Sequence, residues 1–304
     1  MEIIIGKTAG FCFGVKNAVT KAEEAVEQNN EIYCLGELVH NKQVTENLVQ
    51  KGIKFIDDIT STKGKTVIRS HGVEKKIYKQ AKSMGIELID LTCPKVLHIH
   101  NIAEEYAQKG FYIILTGDKE HPEMLGTASF CGEHYYILEK KEDIEKSIIE
   151  FKKSNLSNIL LISQTTYSLE KFEEIAEELR KKIPTIEVIN TICNATKMRQ
   201  EETEQMAKNA DIMVIVGGKH SSNSNKLYEL AKKYCSIVLF VETADEINIK
   251  QILPNKKEHE NEPSVRVGVM AGASTPKESI DKVVEKLKEL WYNKRGKILK
   301  KKGR

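Results

Sequence analysis

The stretch Ile86–Cys93, IELIDLTC, is written again one hundred residues later as Ile186–Cys193, IEVINTIC. Both are short apolar runs rich in β-branched residues, which favour strands. Both end on a cysteine followed by a helix-like pattern. The N-terminus offers a looser third copy: Ile3-Ile4-Ile5, a glycine-bearing loop, then Cys12 and another helical stretch. Three strands that each deliver one thiol to the same end of a fold point to three-way ligation by Cys12, Cys93 and Cys193.

Worked outward from these runs, the repeat fixes the architecture. The first copy continues with a helix over 13–28, strands over 32–35 and 53–56 around a helix at 42–51, a strand over 66–68 and a helix over 74–84. The second has a helix over 96–108, strands over 111–115, 134–138 and 159–162, and a helix over 169–182. The third has helices over 196–209 and 226–233, strands over 212–216, 237–241 and 265–270, and a closing helix from Pro276. Strands alternating with helices predict α/β architecture, parallel sheets wrapped on both faces, with working groups at the carboxyl ends of the strands. The copies divide the chain at 1–92, 93–192 and 193–290, leaving 291–304 as a disordered basic tail. The polar, mixed-charge segment 248–263 reads as an exposed excursion.

A constant spacing ties the copies together. Cys12 to His40, Cys93 to His121 and Cys193 to Ser221 are each 28 residues. His71, Thr165 and Ser274 form a third set, at the ends of later strands. The pattern thus gathers thiols, imidazoles and hydroxyls around one central site of pseudo-threefold symmetry.

Composition sets the surroundings. The chain has 304 residues, 40% apolar and 30% charged, as expected of a globular protein. No apolar run approaches the roughly 20 residues of a membrane span, and no signal-peptide layout opens the chain, which points to the cytoplasm. Of the net +3, seven positive charges sit in Lys294–Arg304, so the remainder carries −4. That tail reads as a solvated terminus, not a nucleic-acid contact. The six cysteines contain no local CxxC pair, which disfavours a zinc ribbon. Cys34, Cys131 and Cys235 do not end strands ahead of helices and read as packing residues.

Three thiolates suit zinc or an iron–sulfur cluster, and residue types alone do not separate the two. The run His220-Ser221-Ser222-Asn223-Ser224-Asn225, after Gly217-Gly218 and at the opening of a helix, forms an anion site from backbone N–H groups, hydroxyls and an amide. Ser274, His40 and His71 add donors. Glu123, in His121-Pro122-Glu123, is the carboxylate at the expected site and a general acid for a bound oxygen. Thr165 aligns a hydroxyl-bearing substrate.

These motifs resemble the LytB/IspH family of 4-hydroxy-3-methylbut-2-enyl diphosphate reductases. The resemblance is carried by GFCFGV at 10–15, VHN at 39–41, SHGV at 70–73, TCP at 92–94, GDKEHPE at 117–123, QTT at 164–166, the stretch 192–199, SSNSN at 221–225 and AGAST at 271–275. It implies a trefoil-like monomer of three α/β domains around a [4Fe–4S] cluster, held by Cys12, Cys93 and Cys193 with one iron lacking a protein ligand. It implies diphosphate binding by His40, His71, His121, Ser221, Ser222, Asn223 and Ser274, proton supply by Glu123, and a hydrogen bond from Thr165 to the substrate hydroxyl. Electrons would come from a donor such as ferredoxin or flavodoxin, and the products would be isopentenyl and dimethylallyl diphosphate. His220 stands where relatives often carry asparagine, and Phe13 occupies a variable position. The rival readings are a zinc-dependent hydrolase of a phosphorylated small molecule, using the same thiolates, and a non-enzymatic iron–sulfur sensor.

Overall fold

The structure is a computed structural model that describes residues 1–29, 31–248 and 265–302. The excursion expected at 248–263 lies, apart from Asn248, outside the described residues.

Among the described residues three four-stranded sheets are formed, every pairing parallel. The chain divides into two compact units, Phe13–Thr196 and a unit built from Met1–Cys12 together with Lys197–Arg304. In the first unit α1 (Phe13–Gln28) leads to β2 (Ile32–Leu35), α2 (Lys42–Lys51), β3 (Ile53–Ile56), β4 (Lys65–Ile68), α3 (Lys75–Met84) and β5 (Leu88–Asp90), giving the order β3-β2-β4-β5. Then α4 (Pro94–Gln108), β6 (Phe111–Thr116), α5 (Pro122–Ala128), β7 (Tyr135–Leu138), α6 (Ile144–Lys153), β8 (Asn158–Ser163), α7 (Leu169–Lys182) and β9 (Glu187–Val188) repeat it as β7-β6-β8-β9. The second unit holds β1 (Glu2–Ile5), most of α8 (Asn194–Asn209), β10 (Ile212–Val216), α9 (Ser222–Tyr234), β11 (Val238–Val241), β12 (Arg266–Ala271) and α10 (Lys277–Lys302), in the order β1-β12-β10-β11.

Burial on both faces is why these strands read as unbroken apolar runs rather than alternating ones. Ile114 and Leu161 of the central pair face a cluster with Phe172, Ile175 and Leu179 of α7. Their neighbours Ile113, Leu115, Leu160 and Ile162 face the opposite way, toward Ile99 of α4 and Met124 of α5. In the other unit Val214 and Val269 pack on Val283 and Leu287 of α10, while Ile215 and Met270 pack on Leu227 and Ala231 of α9.

Two boundaries differ from the sequence reading. The strand ahead of each cysteine is the last, outer strand of a sheet, so the repeated strand–Cys–helix unit straddles two copies. β1 pairs with β12, and residues 2–5 therefore belong to the sheet of the third copy rather than to a 1–92 domain. The basic stretch is no separate tail, since α10 runs unbroken to Lys302. The reading also passed over α6, a short amphipathic helix between β7 and β8.

Candidate functional site

Each cysteine donates its backbone N–H to the carbonyl of a loop beside it, and two of the three loops are also folded by a side chain. β5 ends at Asp90, whose carboxylate accepts the Thr92 N–H at 3.0 Å, and Cys93 then donates its N–H to the Ser70 carbonyl at 3.0 Å. After β9, the Asn190 side chain accepts the Ile192 N–H at 3.0 Å, and the Cys193 N–H reaches the Thr165 carbonyl at 3.1 Å. Cys12 donates its N–H to the Ala273 carbonyl at 3.0 Å. All three cysteines are half-buried and directly precede helices α4, α8 and α1. Cys34, Cys131 and Cys235 are buried, and burial pushes the Cys34 and Cys131 thiols up to about 12. A thiol sealed in a core is disfavoured as thiolate. Cys12, Cys93 and Cys193, each partly exposed just ahead of a helix, therefore keep the setting of candidate ligands, whereas the other three are buried.

The sheet register corrects one correspondence. Leu35 pairs with Ile68, Thr116 with Ser163 and Val216 with Ala271. His40, His121 and Ser221 each lie five residues beyond the first member, as the 28-residue spacing predicts. Counted from the second member, His71 and Ser274 match Thr166, and Thr165 falls one place earlier. Two adjacent threonines gave spacing no means of choosing.

Within Phe13–Thr196 the three predicted histidines meet. The His40 and His71 rings stack with centroids 4.2 Å apart, and His121 stands edge-on to both at 5.2 and 5.4 Å. A ligating nitrogen from each lies within 4.8 Å of the others. Burial, then His40, His121 and Arg69, hold His71 well below the usual imidazole range, and its Nδ1 has no hydrogen-bond partner among the described residues. Burial, with His40 next, takes His121 down to about 3. His121 is also the N-cap of α5, its Nδ1 accepting the Glu123 N–H at 3.2 Å. A neutral ring that accepts at Nδ1 carries its proton on Nε2, so His121 is fixed as a donor. Neutral imidazole donors suit a phosphate oxygen.

Glu123, the next residue but one, is 1% exposed. Its two oxygens accept the Thr165 N–H at 2.6 Å and the Thr165 hydroxyl at 2.7 Å. Burial raises its pKa to about 7, and the Thr165 bonds moderate that rise. The carboxyl group is thus poised to give or take a proton near neutrality. Sequence reasoning missed two supporting residues. Gln164, 2% exposed, accepts the Asp118 N–H at 3.2 Å and donates to the Thr166 hydroxyl at 3.0 Å, stapling the His121 loop to the Thr165 loop. Arg69 donates to the Gly72 carbonyl at 3.3 Å and places a positive charge behind the histidines. Gln164 sits inside a quoted motif, which was its only signal.

In the other unit Ser221 caps α9, its hydroxyl accepting the Ser224 N–H at 3.3 Å, and Ser222 opens the helix. Asn223 is 3% exposed, yet neither its amide oxygen nor its amide nitrogen has a hydrogen-bond partner among the described residues. A buried amide left unpaired is costly, so both atoms are open to a further hydrogen-bond partner. Ser274 follows β12 and is buried, whereas His220 is exposed.

A sequence model described as LytB protein matches residues 3–288. The chain belongs to the LytB family. It is 40% identical over 296 residues to the 4-hydroxy-3-methylbut-2-enyl diphosphate reductase of Caldanaerobacter subterraneus subsp. tengcongensis, covering 95% of this chain and 98% of that one. It is 40% identical over 293 residues to the enzyme of the same name from Clostridioides difficile, covering 95% and 100%. Among solved structures it is similar to (E)-4-hydroxy-3-methyl-but-2-enyl diphosphate reductase, the terminal enzyme of the non-mevalonate pathway, with a TM-score of 0.66, 34% identity, and 95% and 99% of the two chains covered. The Plasmodium falciparum reductase gives a TM-score of 0.84 at 28% identity, covering 93% and 87%. The three-sheet LytB architecture expected from the repeats is therefore present, and among the described residues no helix is long and apolar enough to cross a membrane.

Proposed function

We propose that this LytB chain removes the hydroxyl group of 4-hydroxy-3-methylbut-2-enyl diphosphate reductively, giving isopentenyl and dimethylallyl diphosphate. Two electrons and two protons enter, the carbon–oxygen bond breaks, and water leaves. The observation that carries the reading is the clasp of Glu123 by Thr165, a buried acid titrating near 7 in the unit that also holds the three clustered imidazoles. A sensor needs no such acid, and a zinc hydrolase is separated by its metal content.

Cys12, Cys93 and Cys193 would hold a [4Fe–4S] cluster. When bound, it supplies the electrons, received from a donor such as ferredoxin or flavodoxin, and one Lewis-acidic iron without a protein ligand. The protein's own groups do the rest. His40, His71 and His121 bind the diphosphate, and the Nε2–H that the Nδ1 bond fixes on His121 donates to it. Ser221, Ser222, Asn223 and Ser274 supply further neutral donors, with Asn223 gaining the partners it lacks. The Thr165 hydroxyl aligns the substrate hydroxyl, and Glu123 delivers the protons.

Anaerobic reconstitution with iron and sulfide, followed by a dithionite-driven assay on the diphosphate substrate, tests the proposal. Turnover to the two five-carbon diphosphates supports it. Stoichiometric zinc without sulfide, and no turnover, sinks it. Iron and sulfide should be lost when Cys12, Cys93 or Cys193 is changed to Ser and kept when Cys34, Cys131 or Cys235 is.

A further inference from the structure

The loops that deliver the three cysteines are unequal. Two residues separate β5 from Cys93, four separate β9 from Cys193, and six separate β1 from Cys12. Three positions ahead of Cys93 and Cys193 stand Asp90 and Asn190, each folding its loop by taking the N–H two residues on. The matching residue ahead of Cys12 is Ala9, which has no side-chain acceptor. The longest of the three loops is thus the one without a turn held by its own side chain; its Gly6–Ala9 turn is closed by backbone alone, the Ala9 N–H reaching the Gly6 carbonyl at 3.1 Å.

Its other hydrogen bonds go elsewhere. One Glu202 oxygen accepts the Lys7 N–H at 2.6 Å, and the other accepts the Thr8 N–H at 2.8 Å together with the Thr8 hydroxyl. Arg199, 4% exposed, donates through Nη2 to the Gly10 carbonyl at 2.7 Å. Gly10 has φ +101°, a left-handed turn that a side chain would strain. We propose that Glu202 and Arg199, one turn apart on α8, are positioning residues for Cys12, doing from outside the loop what Asp90 and Asn190 do from within theirs.

The chemistry supports the assignment. Burial works against ionisation of Glu202, yet the bonds from Thr8 and Lys7 hold it below the ordinary carboxylate range, so it accepts at neutral pH. Arg199 offers a planar set of donors, one of which holds the Gly10 carbonyl. Backbone amides and a carbonyl are gripped on both sides of Ala9, leaving the Cys12 N–H to reach Ala273. The functional meaning rests on Cys12 being a ligand of the proposed cluster, since a thiol on a wandering loop would bind metal weakly.

The test reads Cys12 directly. In the full-length, metal-free, reduced protein, alkylation by iodoacetamide is timed and mapped to each cysteine by peptide mass spectrometry. Glu202→Ala should speed labelling of Cys12 roughly tenfold by letting the loop open, while Cys93 and Cys193 keep their rates. Glu202→Gln, which retains one acceptor, should fall between, and Arg199→Lys, which retains one donor, should do the same if Arg199→Leu unfolds the chain. After reconstitution, Glu202→Ala should lose iron to a chelator faster than the parent. An unchanged Cys12 rate overturns the proposal, and so does a rise shared with Cys34 and Cys131, which would report general loosening. Because labelling is measured without metal, a failure of the cluster itself, seen as iron retained in Cys12→Ser, is distinguished from a failure of the clamp.

Discussion

A carboxyl group that is 1% exposed and titrates near 7 is unusual enough to carry consequences beyond catalysis. Replacing Glu123 with Gln removes the proton but keeps the shape and one acceptor for Thr165. Turnover should fall on the order of 10²–10⁴-fold, the usual worth of a positioned acid, with iron and sulfide content unchanged. Retained turnover in the steady-state assay would remove Glu123 from the mechanism. The same group shapes stability. The folded protein holds the Glu123 proton up to about 7 while the unfolded chain releases it near 4.5, so stability falls as pH rises through that window. The histidines slope the other way. Burial lowers His100 to about 4, His121 to about 3 and His71 well below 6.5, so an acidified unfolded chain takes protons that the folded one refuses. Stability contributed by these neutral rings is whole above 6.5 and declines as pH falls below it. Three imidazoles outweigh one carboxyl, so the urea midpoint should peak between pH 6 and 7 — roughly where the two sets cross — and drop steeply toward pH 4. Glu123→Gln should remove the opposing slope, so that the rise from pH 4.5 to 6.5 steepens and the fall above it disappears.

At the scale of elements, the link between α4, the His71 loop and α5 is a packing problem solved by glycine. The His100 ring on α4 stacks on Phe130 at 4.4 Å and presses against Gly72, where an added Cβ would meet its Cε1 at 2.8 Å. Gly72 has φ +73°, and Gly85, at the end of α3, has φ +68° with nothing within 4 Å of an added Cβ. The pair separates backbone strain from crowding. Gly85→Ala should cost about 1–2 kcal/mol for the left-handed conformation alone. Gly72→Ala should cost more by urea titration and weaken binding of pyrophosphate, because His71 moves with it; equal losses would show that the wedge is idle. Little of this was legible beforehand. Periodicity placed α1, α2, β2 and β3 residue for residue, because runs such as Ile32–Leu35 sit between clear breakers. It began α9 at Lys226 although the helix opens at Ser222, since Ser221 caps a first turn made wholly of polar residues. The His40, His71 and His121 trio was legible from motif position, whereas Gln164 and Arg69 work through loops whose contacts no spacing encodes.

For the whole molecule, the repeat that announces the fold also disguises its seams. Strand–Cys–helix is the unit the sequence repeats, but the sheets are cut between strand and helix, so β1 completes the sheet formed by residues over two hundred positions away. Its sequence gave no sign of that partner, because parallel pairing between chain ends leaves no local trace. The pairing nonetheless has a thermodynamic signature. β1 pairs through four residues, Glu2 to Ile5, along the open edge of β12, and Met1 and Ile3 pack against the cluster of Val267, Val269 and Val283. Deleting residues 2–5 should remove hydrogen bonds worth about 1 kcal/mol each together with that apolar cover, and expose β12 as an edge. Hydrogen exchange should then accelerate in β10, β11 and β12, while amides of β6 and β8 keep their protection, since those strands belong to the other compact unit. Acceleration centred on β2 and β4 instead would return residues 2–5 to the first copy and undo the sheet assignment.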